Sequence, residues 1–181
     1  MSNGASAVLA MWNRLENVPF GKAVFSRIIC WKAPYFGSIR PRFEEFRPGY
    51  ARVSMRKRRA VTNHIGTVHA IAMCNLAELA AGLTTEITIP PAMRWLPKGM
   101  AVEYLRKAES DVEAHASVGE VAQGPGRDVP VTVEVKDRAG ELVCRAVISL
   151  LGGSAPAIHP TPLAIAAAPG EAPVLMLKDD R

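Results

Sequence analysis

The residue with the clearest chemical potential is Glu78, the one carboxylate in an apolar segment that runs from Ile65 to Leu83. The rest of this segment is mainly Ile, Val, Leu, Ala, Met, Cys and Gly, which predicts a buried helix. A buried carboxylate is costly unless it is hydrogen-bonded, paired with a cation or used in chemistry. Burial also makes a carboxylate a better proton acceptor, as a general base requires. The alternative is a structural role, in which Glu78 caps another element or lies at the wet edge of an interface.

A second group of interest is a basic cluster between Arg40 and Arg59, where eight Arg and Lys residues are accompanied by Glu44 and Glu45. Such a cluster attracts polyanions, whether a phosphate-bearing small molecule, a nucleic acid or an anionic membrane surface. A solvated basic face without a ligand is the alternative. Nucleic-acid binding is disfavoured, because the basic stretch lacks interleaved aromatic residues and no reader motif is present.

Length and composition restrict the class of protein. The chain has 181 residues and a net charge of +5, which indicates one domain of ordinary size. Cys30, Cys74 and Cys144 form no motif, which predicts reduced thiols in a cytoplasmic protein, with Cys74 a buried and inert one. No signal peptide is expected in residues 1–12, and polar residues interrupt the best candidate for a transmembrane helix.

The elements that position these groups follow from the spacing of apolar residues. Residues 5–32 predict two helices, with a break at Asn17–Val18–Pro19. The second helix carries an apolar stripe that is expected to pack against the main domain, with a partner helix or a membrane as the alternative. The stripe consists of Phe20, Val24, Phe25, Ile28, Ile29 and Trp31.

The main domain is predicted to alternate between strands and one helix. A basic, edge-like strand covers Arg52 to Arg59, and the apolar helix then starts after Thr67 as its N-cap and ends at Gly82. Period-two patterns predict strands at 112–118, 129–135 and 142–150, with a further strand at 103–109. The result is an α+β domain, in which one face of an antiparallel sheet packs on a central helix.

Three regions are predicted from these patterns. Residues 1–34 form an N-terminal helical extension, and residues 35–152 form the α+β domain. Residues 153–181 are rich in Ala and Pro and are expected to form an extended or disordered tail.

The loop and the start of the apolar helix share a spacing with a known family. Asn63, Gly66 and His69 are followed by Glu78, nine residues after His69. This spacing resembles the signature of the hotdog-fold acyl-CoA thioesterases, particularly the phenylacetate-pathway type, over about residues 35–152. The chain looks closest to an uncharacterised branch, because non-glycine residues follow His69 and a helical extension precedes the domain. The resemblance implies the hotdog fold, an antiparallel sheet wrapped around a central helix.

The resemblance also implies roles for individual residues. Glu78 matches the carboxylate that activates water or attacks the thioester carbonyl, and Asn63 matches the residue that orients the substrate or the water. The backbone N–H of Ala70 matches the oxyanion donor, assisted by the positive end of the helix. His69 acts either at the partner's site or as a structural residue at the helix start, whereas His64 and His115 are expected to be structural or surface residues.

The resemblance implies that the basic cluster binds the phosphates of coenzyme A, which carries a pyrophosphate and a 3′-phosphate. Arg56, Arg58 and Arg59 are the expected coenzyme A-binding residues. Coenzyme A then enters as part of the substrate, so neither a separate cofactor nor a metal is expected.

The spacing within the helix indicates that two chains form the site. Ala70 and Glu78 are eight residues apart, about 12 Å along one helix, so one carbonyl cannot touch both. Antiparallel packing of two helices would bring them together, as in the hotdog family, in a homodimer or a homotetramer. The predicted function is hydrolysis of a medium or long acyl or aryl thioester of coenzyme A. A non-catalytic module that binds acyl-CoA or lipid is the alternative, and a hotdog dehydratase ranks lower.

Overall fold

Three helices and six strands make up the part of the chain that the computed structural model describes, residues 7–90, 92–121 and 127–154. Most of the predicted tail lies outside these residues. Short 3-10 turns occur at Pro34–Ser38 and Arg59–Val61. The elements are α1 (Ala7–Leu15), α2 (Gly21–Lys32), β1 (Arg42–Arg47), β2 (Tyr50–Met55), α3 (Ala70–Thr88), β3 (Met93–Tyr104), β4 (Val112–Val118), β5 (Arg127–Asp137) and β6 (Leu142–Ser154).

The strands form one antiparallel sheet in the order β1-β2-β4-β5-β6-β3, and α3 crosses one face of it. The alternating patterns correctly predicted β4, β5 and β6. β1 and β3 lie at opposite edges of the sheet, so α3 and β3 are inserted in sequence between the neighbouring strands β2 and β4. The predicted α+β architecture with a helix on one sheet face is therefore confirmed.

The core lies between α3 and the inner face of the sheet. Ala114 and Ala116 of β4 are fully buried, as are Leu76 and Ala80 of α3. These small side chains let the helix lie close to β4, the strand with which it makes its most extensive contacts. The outer face of the sheet is charged, which gives the alternation that the sequence shows.

The N-terminal helices cover the β1 edge through an aromatic cluster. The Trp12 and Phe25 ring centroids are 5.1 Å apart and nearly perpendicular, and Phe25 meets Phe43 of β1 in the same way at 5.1 Å. The Ser26 hydroxyl accepts a hydrogen bond from the Phe43 N–H at 3.0 Å. These contacts attach α2 firmly to the first strand.

The apolar stripe predicted on α2 divides between two faces of the helix. Phe25 and Ile29 are buried against the domain, as expected. Phe20, Val24 and Trp31 point to solvent, so the prediction that the whole stripe packs on the domain is wrong for them. The reason is their position: they follow one another at helical spacing on the side opposite Phe25 and Ile29.

Two predicted strands are misplaced. β2 ends at Met55 and is an interior strand rather than an edge, because β1 and β4 flank it and the chain leaves the sheet at Arg56. The strand predicted at 103–109 is instead β3, which ends at Tyr104. β3 accommodates Pro97 because it is an edge strand with an irregularity between Pro97 and Gly99.

Candidate active site

The loop before α3 is shaped by Asn63. Its Oδ1 accepts hydrogen bonds from the N–H groups of Ile65 at 3.2 Å and Thr67 at 3.0 Å, and its Nδ2 donates to the Thr67 hydroxyl at 2.8 Å. Gly66 has a φ of 79°, in the left-handed region that glycine adopts without strain. The Asn-Gly spacing therefore fixes this loop. All the hydrogen bonds that Asn63 makes stay within it, and its role toward a substrate stays a prediction.

His69 is the N-cap of α3, so the prediction that Thr67 caps the helix is wrong. The His69 Nδ1 accepts a hydrogen bond from the Ile71 N–H at 3.1 Å. The Thr67 hydroxyl is instead engaged by Asn63. The helix start is also fixed by the backbone, since the His69 N–H donates to the Val61 carbonyl at 2.8 Å.

Ala70 presents a free donor at this helix start. Its N–H has no acceptor among the described residues, as expected for the first position of a helix. Ala70 lines a depression of about 370 Å³ together with Asn63, Met73 and Tyr104. A free N–H at the positive end of a helix suits an oxyanion. Asn63 and Ala70 thus line the same depression, and their roles toward a substrate stay predictions.

Glu78 is exposed in the single chain, so the expectation that it is buried is wrong at this level of assembly. Leu79 and Ala80 face the core, whereas Glu78 lies on the outward stripe of α3 with Ile71, two turns earlier and 57% exposed. Glu78 has no hydrogen-bond or ion-pair partner in the described part of the chain.

β3 runs along this outward stripe of α3. Trp95 of β3 packs over Gly82, one turn after Glu78, and the Tyr104 hydroxyl lies 3.0 Å from the Cys74 Sγ, one turn before it. Gly82 therefore lies inside α3, which continues to Thr88, and the prediction that it ends the helix is wrong. Glu78 lies between the two points where β3 touches the helix.

The helix-facing side of β3 is open to solvent. Met100 and Tyr104 pair with Ile148 and Cys144 of β6, which point into the core. Met100 is nevertheless 39% exposed and Tyr104 49% exposed. We call Ile71, Glu78, Met100 and Tyr104 the α3–β3 surface. Ile71 and Met100 are apolar, Glu78 contributes a carboxylate and Tyr104 a phenol.

Tyr104 was not identified from the sequence, because the strand that carries it was placed too late in the chain. The hydrogen bond to Cys74, with a smaller effect of burial, raises the pKa of Tyr104 to about 12. The phenol therefore keeps its proton at neutral pH and can donate a hydrogen bond. Burial raises the pKa of the neighbouring Cys144 thiol to about 11. The three cysteines are free.

A basic cavity of about 900 Å³ lies where β2 ends and β4 begins. Arg56 and Arg58 line it, as does Arg40, whereas Arg59 does not. Arg56 has no carboxylate partner within residues 7–90, 92–121 and 127–154, and Arg58 donates only to the Ser38 carbonyl, at 2.5 Å. Its Nε is buried without a hydrogen-bond partner. Seven Arg and Lys side chains line the cavity against four carboxylates, Glu44, Asp111, Glu113 and Asp137, so its lining is net positive. Two of the three predicted binding residues line it.

The cavity and the α3–β3 surface are connected through one residue. Ser38 accepts a hydrogen bond from Arg58 through its carbonyl and one from the Asn75 Nδ2 through its hydroxyl, at 3.2 Å. Asn75 is on α3, one turn before Glu78. The cavity lies at the same end of the sheet as Ala70 and Tyr104, but its strand residues, such as Ser54, Glu113 and His115, are on the outer face, opposite α3.

The described ranges, residues 7–90, 92–121 and 127–154, contain neither a candidate metal site nor a helix suited to cross a membrane. No group of three or more His, Cys, Asp or Glu side chains there could hold a metal ion. In the same part of the chain, none of the helices combines the length and apolar character needed to cross a membrane.

The sequence profile of a family described as "Domain of unknown function (DUF4442)" matches residues 21–151. Among solved structures, the structural-genomics protein APC5556 is 46% identical to the chain, with a TM-score of 0.73 over 83% of this chain and 100% of that one. No functionally curated protein matches the chain.

Two more distant structures carry functional names. PA5026 from Pseudomonas aeruginosa, a protein of unknown function described as a probable thioesterase, is 23% identical with a TM-score of 0.65, covering 76% of this chain and 97% of that one. The thioesterase HI1161 from Haemophilus influenzae is 14% identical with a TM-score of 0.62, covering 70% and 87%. At these identities the likeness concerns the fold, and the predicted hotdog-thioesterase fold is confirmed.

Proposed function

Because the chain belongs to the DUF4442 family of domains of unknown function and has the hotdog-thioesterase fold, we propose that it hydrolyses acyl-CoA thioesters. The observation that carries this proposal is the position of Glu78. It is an exposed carboxylate on the outward side of α3, between the Cys74–Tyr104 and Gly82–Trp95 contacts with β3. No hydrogen bond or ion pair among the described residues engages it, and its spacing from His69 resembles the thioesterase signature; together these support a chemical role.

We propose that the site is completed by a second copy of the chain. β3 pairs only with β6 among the strands described, which leaves its other edge open beside the exposed Met100 and Tyr104. An open apolar edge strand favours association with another chain. A partner on the α3–β3 surface would bury Glu78 and place its own Ala70 nearby. This supports a homodimer, and a homotetramer built from it stays a prediction.

The reaction then follows from the groups present. Glu78 takes a proton from a water molecule whose oxygen bonds to the thioester carbonyl carbon. The carbonyl oxygen becomes an oxyanion and accepts a hydrogen bond from the N–H of Ala70 of the partner subunit at the positive end of α3. The carbon–sulfur bond then breaks, and the proton held by Glu78 passes to the thiolate of coenzyme A. Direct attack by the Glu78 carboxylate, with hydrolysis of the resulting anhydride, is the alternative.

The two ends of the substrate have separate candidate sites. Ile71 and Met100 offer exposed apolar side chains on the α3–β3 surface, which suits a medium or long acyl chain or an aryl group. Arg56 and Arg58 in the basic cavity suit the phosphates of coenzyme A, and Arg59 would contribute only from outside the cavity.

Replacing Glu78 with Gln tests the proposal, because the change keeps the shape and removes the base. Thiol release is measured with a series of acyl-CoA esters of increasing chain length and an arylacetyl-CoA. We expect the parent to hydrolyse some of them and E78Q to lose a factor of about 100 or more in kcat. Glu120→Gln, at an exposed position outside the α3–β3 surface, is the matched control and should retain parent activity. Equal rates for E78Q and the parent, or no turnover with any ester, would reject the proposal.

A non-catalytic module that binds acyl-CoA is the second candidate, favoured by one observation. Ile71 is 57% exposed where the thioesterase signature has a small glycine, and its side chain could block the attacking water. Acyl-CoA binding measured by calorimetry, without thiol release, would support this reading. A dehydratase ranks below both, because His69 uses its Nδ1 to cap α3.

A further inference from the structure

The outward face of α2 carries an aromatic stripe, defined as Phe20, Val24, Trp31 and Tyr35. Phe20 is 86% exposed, Trp31 79% and Tyr35 69%, whereas Phe25 on the opposite face is fully buried. The first three residues follow helical spacing, and Tyr35 continues the stripe on the next 3-10 turn. α2 therefore has one apolar face on the domain and a second, uncovered one.

Phe20 has an unfavourable backbone conformation, and its side chain is exposed to water. Its φ of 62° and ψ of 0° place it in the left-handed region, which bulky residues adopt rarely and at a cost. Its side chain makes no cap to α2. Glycine at this position would relieve the strain and remove the exposed ring. Phe20 thus costs the folded chain backbone strain while its ring adds little packing, which indicates that the ring serves a contact outside the chain.

The charges on α2 have one sign. α2 contains Lys22, Arg27 and Lys32 and no acidic residue. Arg27 lies within the stripe, between Val24 and Trp31, and Lys32 follows Trp31; neither has an ion-pair partner in the described ranges.

The stripe also leads to the basic cavity. The 3-10 turn that carries Tyr35 ends at Ser38, whose carbonyl accepts the hydrogen bond from Arg58. A basic surface on both sides of exposed aromatic rings complements an anionic partner.

We propose that the aromatic stripe docks the protein on the surface of an anionic lipid bilayer. Trp and Tyr rings prefer the boundary between headgroups and acyl chains, and Phe20 would reach further in. Arg27 and Lys32 would lie level with the lipid phosphates. A second copy of the chain fits less well, because Arg27 and Lys32 would then face their own counterparts. The stripe is on the β1 side of the sheet, away from β3, so docking leaves the α3–β3 surface free.

Vesicle binding tests this inference independently of any hydrolysis. The full chain is sedimented with vesicles of phosphatidylcholine alone and with vesicles that also contain phosphatidylglycerol. We expect binding to the anionic vesicles only, and a loss of about tenfold in affinity for Trp31→Ala, whose large exposed ring would be buried in the interface. Phe20→Gly should bind more weakly and yet unfold at a temperature equal to or above that of the parent. Val147→Ala, which truncates an exposed apolar side chain on the outer sheet face, is the control and should bind like the parent.

A fluorescence measurement and an assembly measurement complete the test. Trp12 is buried, and Trp95 packs over Gly82 on the far side of the sheet, so a blue shift of tryptophan emission on adding anionic vesicles should come from Trp31 and should be lost in Trp31→Phe. Hydrolysis of a short, water-soluble acyl-CoA should be the same in Trp31→Ala and the parent, which separates this inference from the proposed function. The inference is overturned if the parent binds no vesicles, or if Trp31→Ala binds them as the parent does. It is equally overturned if that substitution dissociates an oligomer while vesicle binding is unchanged.

Discussion

The contact between Gly82 and Trp95 holds β3 against α3, and replacing Gly82 with Ala tests it. A β-carbon at position 82 would lie 2.8 Å from Cη2 of the Trp95 ring, well inside ordinary contact distance. The ring is also fixed by a hydrogen bond from its Nε1 to Glu86, at 2.8 Å. Accommodating the methyl group therefore requires the ring, and the edge strand with it, to move away from the helix.

The opposing contributions can be estimated separately. Glycine to alanine inside a helix stabilises by about 1 kcal/mol. Overpacking costs about 1–3 kcal/mol, and loss of the Trp95–Glu86 hydrogen bond costs about 1 kcal/mol. We therefore expect Gly82→Ala to lower the free energy of unfolding by about 2 kcal/mol, which for a chain of this size lowers Tm by about 4–8 °C.

A double-mutant cycle identifies the cause. In a Trp95→Ala background the clash and the hydrogen bond are both absent, so adding Gly82→Ala should stabilise by about 1 kcal/mol. Urea unfolding is followed by far-UV circular dichroism at one fixed protein concentration, because tryptophan fluorescence changes with the mutation and association changes apparent stability. Stabilisation by Gly82→Ala in the parent itself would refute the reasoning, since it would mean that Trp95 does not lie against the helix.

Two further predictions concern the loop before α3 and the outer face of the sheet. Asn63→Asp keeps the acceptors for the Ile65 and Thr67 N–H groups, so the free energy of unfolding in urea should fall by less than about 1 kcal/mol. If kcat then falls strongly while stability is retained, Asn63 acts on the substrate. If kcat stays at the parent value, Asn63 only shapes the loop. Burial, and secondarily the charge of Lys136, lowers the pKa of His115 below its ordinary 6.5. Below pH 6.5 the unfolded chain therefore binds more protons at this residue than the folded chain does. The free energy of unfolding falls as the pH drops below 6.5. Urea unfolding between about pH 7.5 and 5.5 should show a smaller fall for His115→Gln than for the parent; a fall of the same size in both would contradict this prediction.

Much of the fold could be predicted, because one face of the sheet is buried and the other is solvated. Because of this asymmetry, apolar and polar residues alternate along β4 and β6. A shift of one residue in the strand register would turn the core side chains of a strand to solvent. Pro19 marks the break between α1 and α2 for an equally local reason, since proline cannot continue a helix. The spacing of Asn63, Gly66 and Glu78 indicated the family of folds, because the loop needs that Asn and that Gly to reach the helix start.

The sequence-based predictions were wrong for residues whose surroundings are set by other elements of the fold. The apolar residues around Glu78 predict that it is buried. Ile71, however, is an apolar residue that faces outward and does not pack in the core. Gly82 was read as a helix end, although its missing side chain makes room for Trp95. Phe20 was assigned to packing, and no local pattern distinguishes a ring that covers the domain from one that faces solvent. Such residues depend on contacts between elements that are far apart in sequence.

The topology of the sheet also has a consequence for the order of folding. β5 and β6 are joined by the tight turn after Asp137, whereas pairing β2 with β4 must close the loop formed by residues 56–111. Closing this loop costs roughly 2 kcal/mol more chain entropy than closing the turn. Pairing β3 with β6 closes a second long loop, residues 105–141. Ala70, Glu78 and Tyr104 all belong to α3 and β3, so they acquire fixed positions only when these slow, non-local pairings are complete.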